Sequence, residues 1–180
     1  MAATTSLRER QVPLKARYEA DPESAKITFT IASTTGGDGS DPTRVRVATT
    51  GQNPIEWAVG AHPFAGGEGD LACSGDLLLA SLAACQEITV RMVAAAMGIT
   101  LDRLDVTVEG DMDFRGTMGI DPETPVGYQA IRTTIRIAAD APADRLERLA
   151  QRAERYCVVA ATLRQRPDLS TIFDVVGRAE

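Results

Sequence analysis

The sequence predicts an α+β fold. Three observations carry that reading: short alternating stretches separated by turns, one long apolar helical pattern in mid-chain, and a second amphipathic helical pattern near the end. Strands in hairpins with helices grouped between them segregate in this way. At 180 residues the chain is one domain by length, large enough for a core without metal or disulfide staples. Residues 1–16 are polar and mixed and read as an N-terminal arm. Residues 17–180 read as a single domain.

Arg17–Glu19 is expected to be a short strand, ended by Asp21-Pro22. In Lys26–Thr34, Ile27, Phe29 and Ile31 alternate with polar residues, the pattern of a half-buried strand. Gly36 to Gly39, followed by Asp41-Pro42, reads as a turn. Thr43–Thr50 then pairs back as a hairpin partner, with Val45 and Val47 alternating with Arg44 and Arg46. Gly51 to Asp70 reads as a long loop holding Trp57, His62-Pro63 and Gly66-Gly67-Glu68-Gly69. A loop of that length in a compact domain is usually functional or partner-bound.

Ser74 is a good N-cap for the long helix, Ser74–Met97. Leu78, Leu82, Cys85, Thr89, Met92 and Ala96 follow helical spacing on one face. Leu79, Ala83 and Ala94 make the other face apolar too, so the helix is expected to be central and buried. Gly98 ends it. Asp105–Phe114 and Tyr128–Ile137 alternate as strands across a Gly/Pro loop. Pro142 at the first helical position opens a second helix with an inner stripe of Leu146, Leu149, Ala153 and Cys157. A shorter helix continues to Arg164, and Ser170–Val176 is expected to be a last strand.

Composition excludes several function classes. The net charge is -6 and no Lys/Arg block stands out, so no nucleic-acid partner is expected. The longest mainly apolar stretch, Leu77 to Met97, is broken by Gln86, Glu87 and Arg91, so no membrane span is expected. No charged-then-apolar leader opens the chain. Three cysteines fit a cytoplasmic chain better than a secreted disulfide scaffold. With a single histidine, His62, no His-rich metal site and no His-based triad is expected.

Cys85 and Cys157 each sit on the inner face of a helical pattern, as a redox pair meeting across a core would. The plain alternative is a pair of small buried hydrophobes. The segment Ser74-Gly75-Asp76-Leu77-Leu78-Leu79-Ala80-Ser81-Leu82-Ala83-Ala84-Cys85 resembles the reactive-cysteine helix of the OsmC/Ohr family, the osmotically inducible and organic-hydroperoxide-resistance proteins. Gly66-Gly67-Glu68-Gly69 resembles that family's glycine-rich loop. Ala153-Glu154-Arg155-Tyr156-Cys157-Val158 resembles the segment of its second cysteine. The likeness runs over about residues 18 to 176.

The resemblance implies antiparallel β-sheets wrapped around a central long helix, in an intertwined homodimer. It implies a peroxidase for organic hydroperoxides that needs no metal, haem or other cofactor and is recharged by a dithiol such as a dihydrolipoyl group. Cys85 would attack the peroxide and Cys157 would resolve the product. In three places the chain departs from the pattern. Gly75, with Asp76 beside it, stands where the peroxidases carry glutamate. The stretch Glu19 to Lys26 lacks their arginine. Val158 follows the second cysteine, where proline is usual.

A buried thiol has a raised pKa, so some donor or cation must support the Cys85 thiolate. Arg17, Lys26, Arg44 and Arg46 are the candidate cations. Asp76 fits first-turn dipole compensation or a substitute for the missing glutamate. Glu87 pairs with Arg91 at i, i+4 or approaches the thiol. His62 serves a His-Pro turn or lines a pocket, and Trp57 packs the loop or walls an apolar pocket. Cys73 is a loop residue at the helix start or an alternative resolving thiol. Two functions fit these residues: the peroxidase, and a non-catalytic protein binding a small hydrophobic ligand at the dimer interface. A redox sensor is a third.

Overall fold

The computed structural model describes residues 6–34 and 41–175. Its first element is a helix, where the sequence suggests an arm and a short strand. Helix α1 spans Leu7–Ala20. Ser6 caps it by accepting from the Glu9 backbone N–H, while the Glu9 carboxylate accepts the Ser6 backbone N–H at 2.7 Å. That capping box is legible as Ser-x-x-Glu. Pro13 and the lack of an apolar stripe hide the helix behind it. Arg17–Glu19 is therefore helical, and the division expected between residues 16 and 17 falls inside α1. A 3-10 turn, Pro22–Ala25, follows.

Strands β1 (Ile31–Thr34), β2 (Arg44–Thr49) and β3 (Glu56–Gly60) form an antiparallel sheet in that order. The first strand is about half the expected length. Ile27 and Phe29 lie before it and are 73% and 84% exposed. The turn expected at Gly36 to Gly39 lies outside the described residues. β3 corrects the long-loop reading: Trp57 and Val59 alternate with Glu56 and Ala58, and they pair with Val47 and Val45. A five-residue strand beside a Gly-rich run is easily lost to the glycines. The rest of the loop includes a 3-10 turn, Pro63–Ala65.

Helix α2 spans Ser74–Ala96, capped by Cys73 rather than Ser74. The chain leaves it through Gly98 at φ +62°, the left-handed conformation that favours glycine. Strand β4 (Leu101–Asp111), a single turn α3 (Phe114–Thr117) and strand β5 (Ala130–Ala139) follow. β4 and β5 pair antiparallel, with Leu104 opposite Ile137 and Val106 opposite Ile135. Phe114, expected to end the strand, lies in α3. Helix α4 is Ala143–Tyr156, with Pro142 as its N-cap and not its first residue. Helix α5 is Val158–Arg164. Residues 170–175 form no strand, and Val176 lies outside the described residues.

The core forms where α2 meets β4, α4 and α5. Val90, Ala94, Ile99, Leu149 and Ala153 pack together, with Leu101, Leu104 and Ile137 against them. A second cluster holds Leu82, Cys157 and Ala160, with Cys85 and Val108 alongside. The Arg145 guanidinium donates to the Met97 carbonyl at the end of α2, tying α4 to a helix end that lacks its own partners. The apolar character of α2 also departs from expectation in its burial. Only Leu82, Val90 and Ala94 are buried, and Ile88 on another side is 56% exposed. By length and composition alone this helix could cross a membrane.

Leu149 has no exposed surface and sits between α2 and the sheet. Replacing it with Ala should cost about 2–5 kcal/mol, the range for a large core truncation. Urea unfolding of the reduced protein would measure this; a loss under 1 kcal/mol would show that α4 is not anchored there.

Candidate functional site

The amphipathic pattern of α4 carries Cys157 inward, and Cys157 is also the residue where the helix stops. Its φ of -75° and ψ of 108° are extended, so the chain turns sharply into α5. The thiol is 1% exposed. The buried stripe of α2 brings Cys85 to meet it. The two sulfurs lie 3.3 Å apart, and Cys157 donates its S–H to Cys85. Both are free thiols. A bond needs about 2.05 Å, so the pair is in reduced contact and close to bonding distance. Thr89, one turn beyond, donates its hydroxyl to the Cys85 carbonyl at 2.7 Å.

The two thiols are electrostatically unequal. Burial pushes Cys85 up, but the backbone N–H of Val159, the Cys157 S–H, the backbone N–H of Val158 and the Thr89 hydroxyl together outweigh it. The Cys85 thiol therefore lies below its ordinary value. For Cys157 burial dominates and raises the thiol; the Ala160 N–H offsets part of this, and its bond to Cys85 adds to it. Thiolate character thus collects on Cys85, with Cys157 holding the proton. No side chain caps α5, so its first amides are free to serve the sulfur.

The candidate cations lie elsewhere in the chain. Lys26 pairs with Glu23 at 2.6 Å, and Arg46 with Glu56. Arg44 binds Asp41, Glu68 and Asp70, holding the glycine-rich loop to β2. Arg17 lies on α1 over the ring of Tyr18.

Asp76 closes a capping box with Cys73. Its carboxylate accepts the Cys73 N–H at 2.9 Å, and the Cys73 sulfur accepts the Asp76 N–H at 3.4 Å. The Cys73 N–H is the main reason its carboxyl lies below the usual carboxylate range. Nine residues of helix set Asp76 about 13 Å along the axis from Cys85. Glu87 accepts from Arg91 at 2.9 Å on the exposed side of α2. His62 accepts the Phe64 N–H on Nδ1 and stacks on Phe114, ring centroids 4.9 Å apart, fastening the loop to α3. Trp57 lies in β3 opposite Val47.

Tyr128 is a residue the sequence reading missed. A Cβ placed on Gly75 would come within 2.6 Å of its hydroxyl, and one on Gly110 within 2.6 Å of its ring. Tyr128 therefore fills the space beside position 75, where the family resemblance expects a glutamate. Its hydroxyl is raised, first by burial and then by the nearby Cys73 and Asp76. The signal was the pair of glycines in two otherwise regular elements. A groove of about 490 Å³ opens beside Tyr128, lined by Leu78, Leu82, Gln86, Ile131 and Ala160. Gln86 also lines a neighbouring groove with Val90 and Thr133, and its side-chain oxygen is buried with no hydrogen-bond partner among the described residues. Among the described residues no three His, Cys, Asp or Glu side chains converge on a metal position.

Comparison with known proteins agrees with the fold. The family described as OsmC-like protein matches residues 67–172, more than half of the chain, and the chain belongs to that family. Among solved structures it is similar to an OsmC-like protein of Mycoplasma pneumoniae, at 18% identity over 78% of this chain and 90% of that one, with a TM-score of 0.59. It is also similar to an organic hydroperoxide resistance protein OsmC of Legionella pneumophila, at 22% identity, 78% and 93% coverage, and a TM-score of 0.54. An organic hydroperoxide resistance protein of Elizabethkingia anophelis gives 16% identity, 78% and 91% coverage, and a TM-score of 0.52. No curated protein matches the chain.

Val158→Pro tests the amide support of Cys85. Proline suits the first helical position, the Cys157 backbone is already in the region that precedes proline, and the Val158 side chain is 71% exposed. Losing one N–H to a thiolate should raise the pH midpoint of Cys85 alkylation. An unmoved midpoint would remove Val158 from the site.

Proposed function

We propose that this OsmC-like chain is a thiol-dependent peroxidase that reduces organic hydroperoxides, with Cys85 as the nucleophile and Cys157 as the resolving thiol. The observation that carries the reading is the thiol pair itself: two sulfurs 3.3 Å apart, with one thiol lowered and the other raised. The Cys85 thiolate attacks the outer peroxide oxygen. The S–O bond forms as the O–O bond breaks, and the departing alkoxide takes a proton to leave as the alcohol. Cys85 is then a sulfenic acid. The Cys157 sulfur attacks it, the S–S bond forms, and the hydroxyl leaves as water. A dithiol such as a dihydrolipoyl group restores both thiols by disulfide exchange, and a cytoplasmic setting would supply such reductants. The groove beside Leu82 and Ala160 offers apolar surface to the organic part of a peroxide and Gln129 and Arg164 to its polar part.

The working unit in this reading is a homodimer. Phe29 lies 84% exposed before β1, and Leu169, Ile172 and Phe173 are 85–91% exposed after α5. Together with the open side of α2 they are more apolar surface than a lone protomer ordinarily shows. A second copy packed on this surface would cover it.

A second reading rests on Gln86. A buried oxygen without a donor is costly, and a ligand O–H or N–H in the groove would satisfy it. That fits a binding protein that does no chemistry.

One equivalent of cumene hydroperoxide added to the reduced protein should remove two thiols and lower the mass by about two hydrogens, mapped to Cys85 and Cys157. Cys85→Ser should abolish peroxide loss. Cys157→Ser should stop at a Cys85 sulfenic acid, one oxygen heavier. Survival of all three thiols in excess peroxide would overturn the peroxidase and leave the binding protein. Sedimentation should give a dimer; a monomer at working concentration would overturn the assembly.

A further inference from the structure

Oxidation is one chemistry open to the thiol pair, and ligation is another. Cys85 and Cys157 are 72 residues apart in sequence, yet their sulfurs lie 3.3 Å apart, and both thiols are free. Two sulfurs held in contact are a bidentate donor for a soft centre. The contact distance selects among such centres. Zinc takes four ligands, and among the described residues no third His, Cys, Asp or Glu side chain joins the pair. A two-coordinate cation such as mercury(II) or copper(I) is linear. It sets its sulfurs on opposite sides of the metal, farther apart than contact. A trivalent arsenic centre is pyramidal. Its two As–S bonds stand near a right angle, so its sulfurs stay in contact across that angle. Once bound to two thiols it is also neutral, which suits a site where Cys157 is buried and a charge would be costly.

We propose that Cys85 and Cys157 chelate a monosubstituted trivalent arsenical, with both sulfurs on arsenic and its organic substituent in the groove beside Leu82, Ile131 and Ala160. The step exchanges ligands and needs no oxidant or reductant. In water the arsenical carries two hydroxyls. Each thiol gives its proton to one of them, two As–S bonds form, two As–O bonds break, and two waters leave. Arsenic stays trivalent. Cys85 bonds first, because its thiol lies below the ordinary value and the thiolate is the nucleophile. Cys157 then closes the ring at an effective concentration far above that of any outside thiol. Leu82, Ile131 and Ala160 pack in the cluster that holds both cysteines and also line the groove of about 490 Å³, so an apolar substituent has a place to lie. The donor count favours one such substituent: two thiols leave the third position of arsenic to carbon, where arsenite would keep a hydroxyl. Cys73 takes no part, since its sulfur caps the start of α2. The chelation rests on the thiol contact alone and not on peroxide turnover.

One equivalent of phenylarsine oxide added to the reduced protein tests this. It should remove two of the three thiols and add one phenylarsenic group, less two hydrogens, to the intact mass. Peptide mapping should place the group on Cys85 and Cys157. Cys73→Ser should bind as tightly as the parent chain. Cys157→Ser, which keeps the Cys85 thiol, should bind at least about a hundredfold more weakly, because the ring cannot close. The dithiol 2,3-dimercaptopropanol should release the arsenical, and glutathione at the same concentration should not. Arsenite should bind more weakly than phenylarsine oxide. Retained affinity in Cys157→Ser, release by glutathione, equal binding of arsenite, or reaction only in urea would overturn the proposal. The two chemistries of the pair fail separately. A chain that takes the arsenical but keeps its thiols in excess peroxide loses the peroxidase alone. One that consumes peroxide but excludes the arsenical loses this site alone.

Discussion

The closeness of α2 to the α4–α5 corner is the constraint on which the site depends. Helices approach closely only where small side chains let them, and here the contact is made by Ala94, Ala153 and Ala160, with Leu149 and Val90 filling the gap between. Substituting bulk at any of the three alanines would push the axes apart. The two sulfurs have little tolerance for this, since they touch at 3.3 Å and a bond needs less. Arg145, reaching from α4 to the last carbonyl of α2, fixes the sliding direction that packing alone leaves free. The thiol contact thus follows from an apolar core rather than from any polar interaction between the cysteines.

The electrostatics of the pair follow from the break at Cys157. Had α4 run on without interruption, the amides of residues 158 to 160 would be spent on carbonyls one turn back. The extended backbone of Cys157 starts a new helix instead, and a new helix has unspent N–H groups. With no side chain to cap them, those of Val158 and Val159 support the Cys85 sulfur. Backbone donors are neutral, so they stabilise a thiolate without a buried cation to desolvate. They are also rigid, so their effect needs no side chain to be ordered first. A proline after Cys157 would remove one of them.

The parts of the fold set by periodicity were legible in the sequence. The stripe of α4 and the alternation of β4 and β5 follow from burial on one face, whereas of the stripe expected in α2 only Leu82 is buried, Leu78, Met92 and Ala96 are exposed, and Val90 and Ala94 do the packing instead. What was not legible has specific causes. Helix α1 has no buried residue, so no apolar period marks it, and only its capping box gives a signal. β3 is five residues long and follows a stretch of Gly, Gln, Asn and Pro that suggests a loop. The last strand was expected at Ser170 to Val176, where Ile172, Phe173 and Val175 suggest a buried edge, but residues 170–175 join no sheet. The role of Asp76 was half legible: first-turn dipole compensation was foreseen, but its partner is Cys73, a residue that rarely caps helices.

Tyr128 shows why the support of the thiol lies at α5 and not at the start of α2. The N-terminal end of α2 holds an acidic group, Asp76, but it is turned back onto Cys73 and sits about two and a half helical turns from Cys85. Position 75 is closer in kind to the family's glutamate, yet any side chain there would collide with the Tyr128 hydroxyl. Tyr128 in turn needs Gly110 under its ring, so the glycine pair and the tyrosine form one unit. Reinstating a glutamate at position 75 would therefore displace the tyrosine and open the groove it borders. The departures at positions 75 and 158 lie at opposite ends of the matter: the first leaves the start of α2 to Tyr128 and its two glycines, and the second keeps the Val158 N–H that holds the Cys85 thiol down.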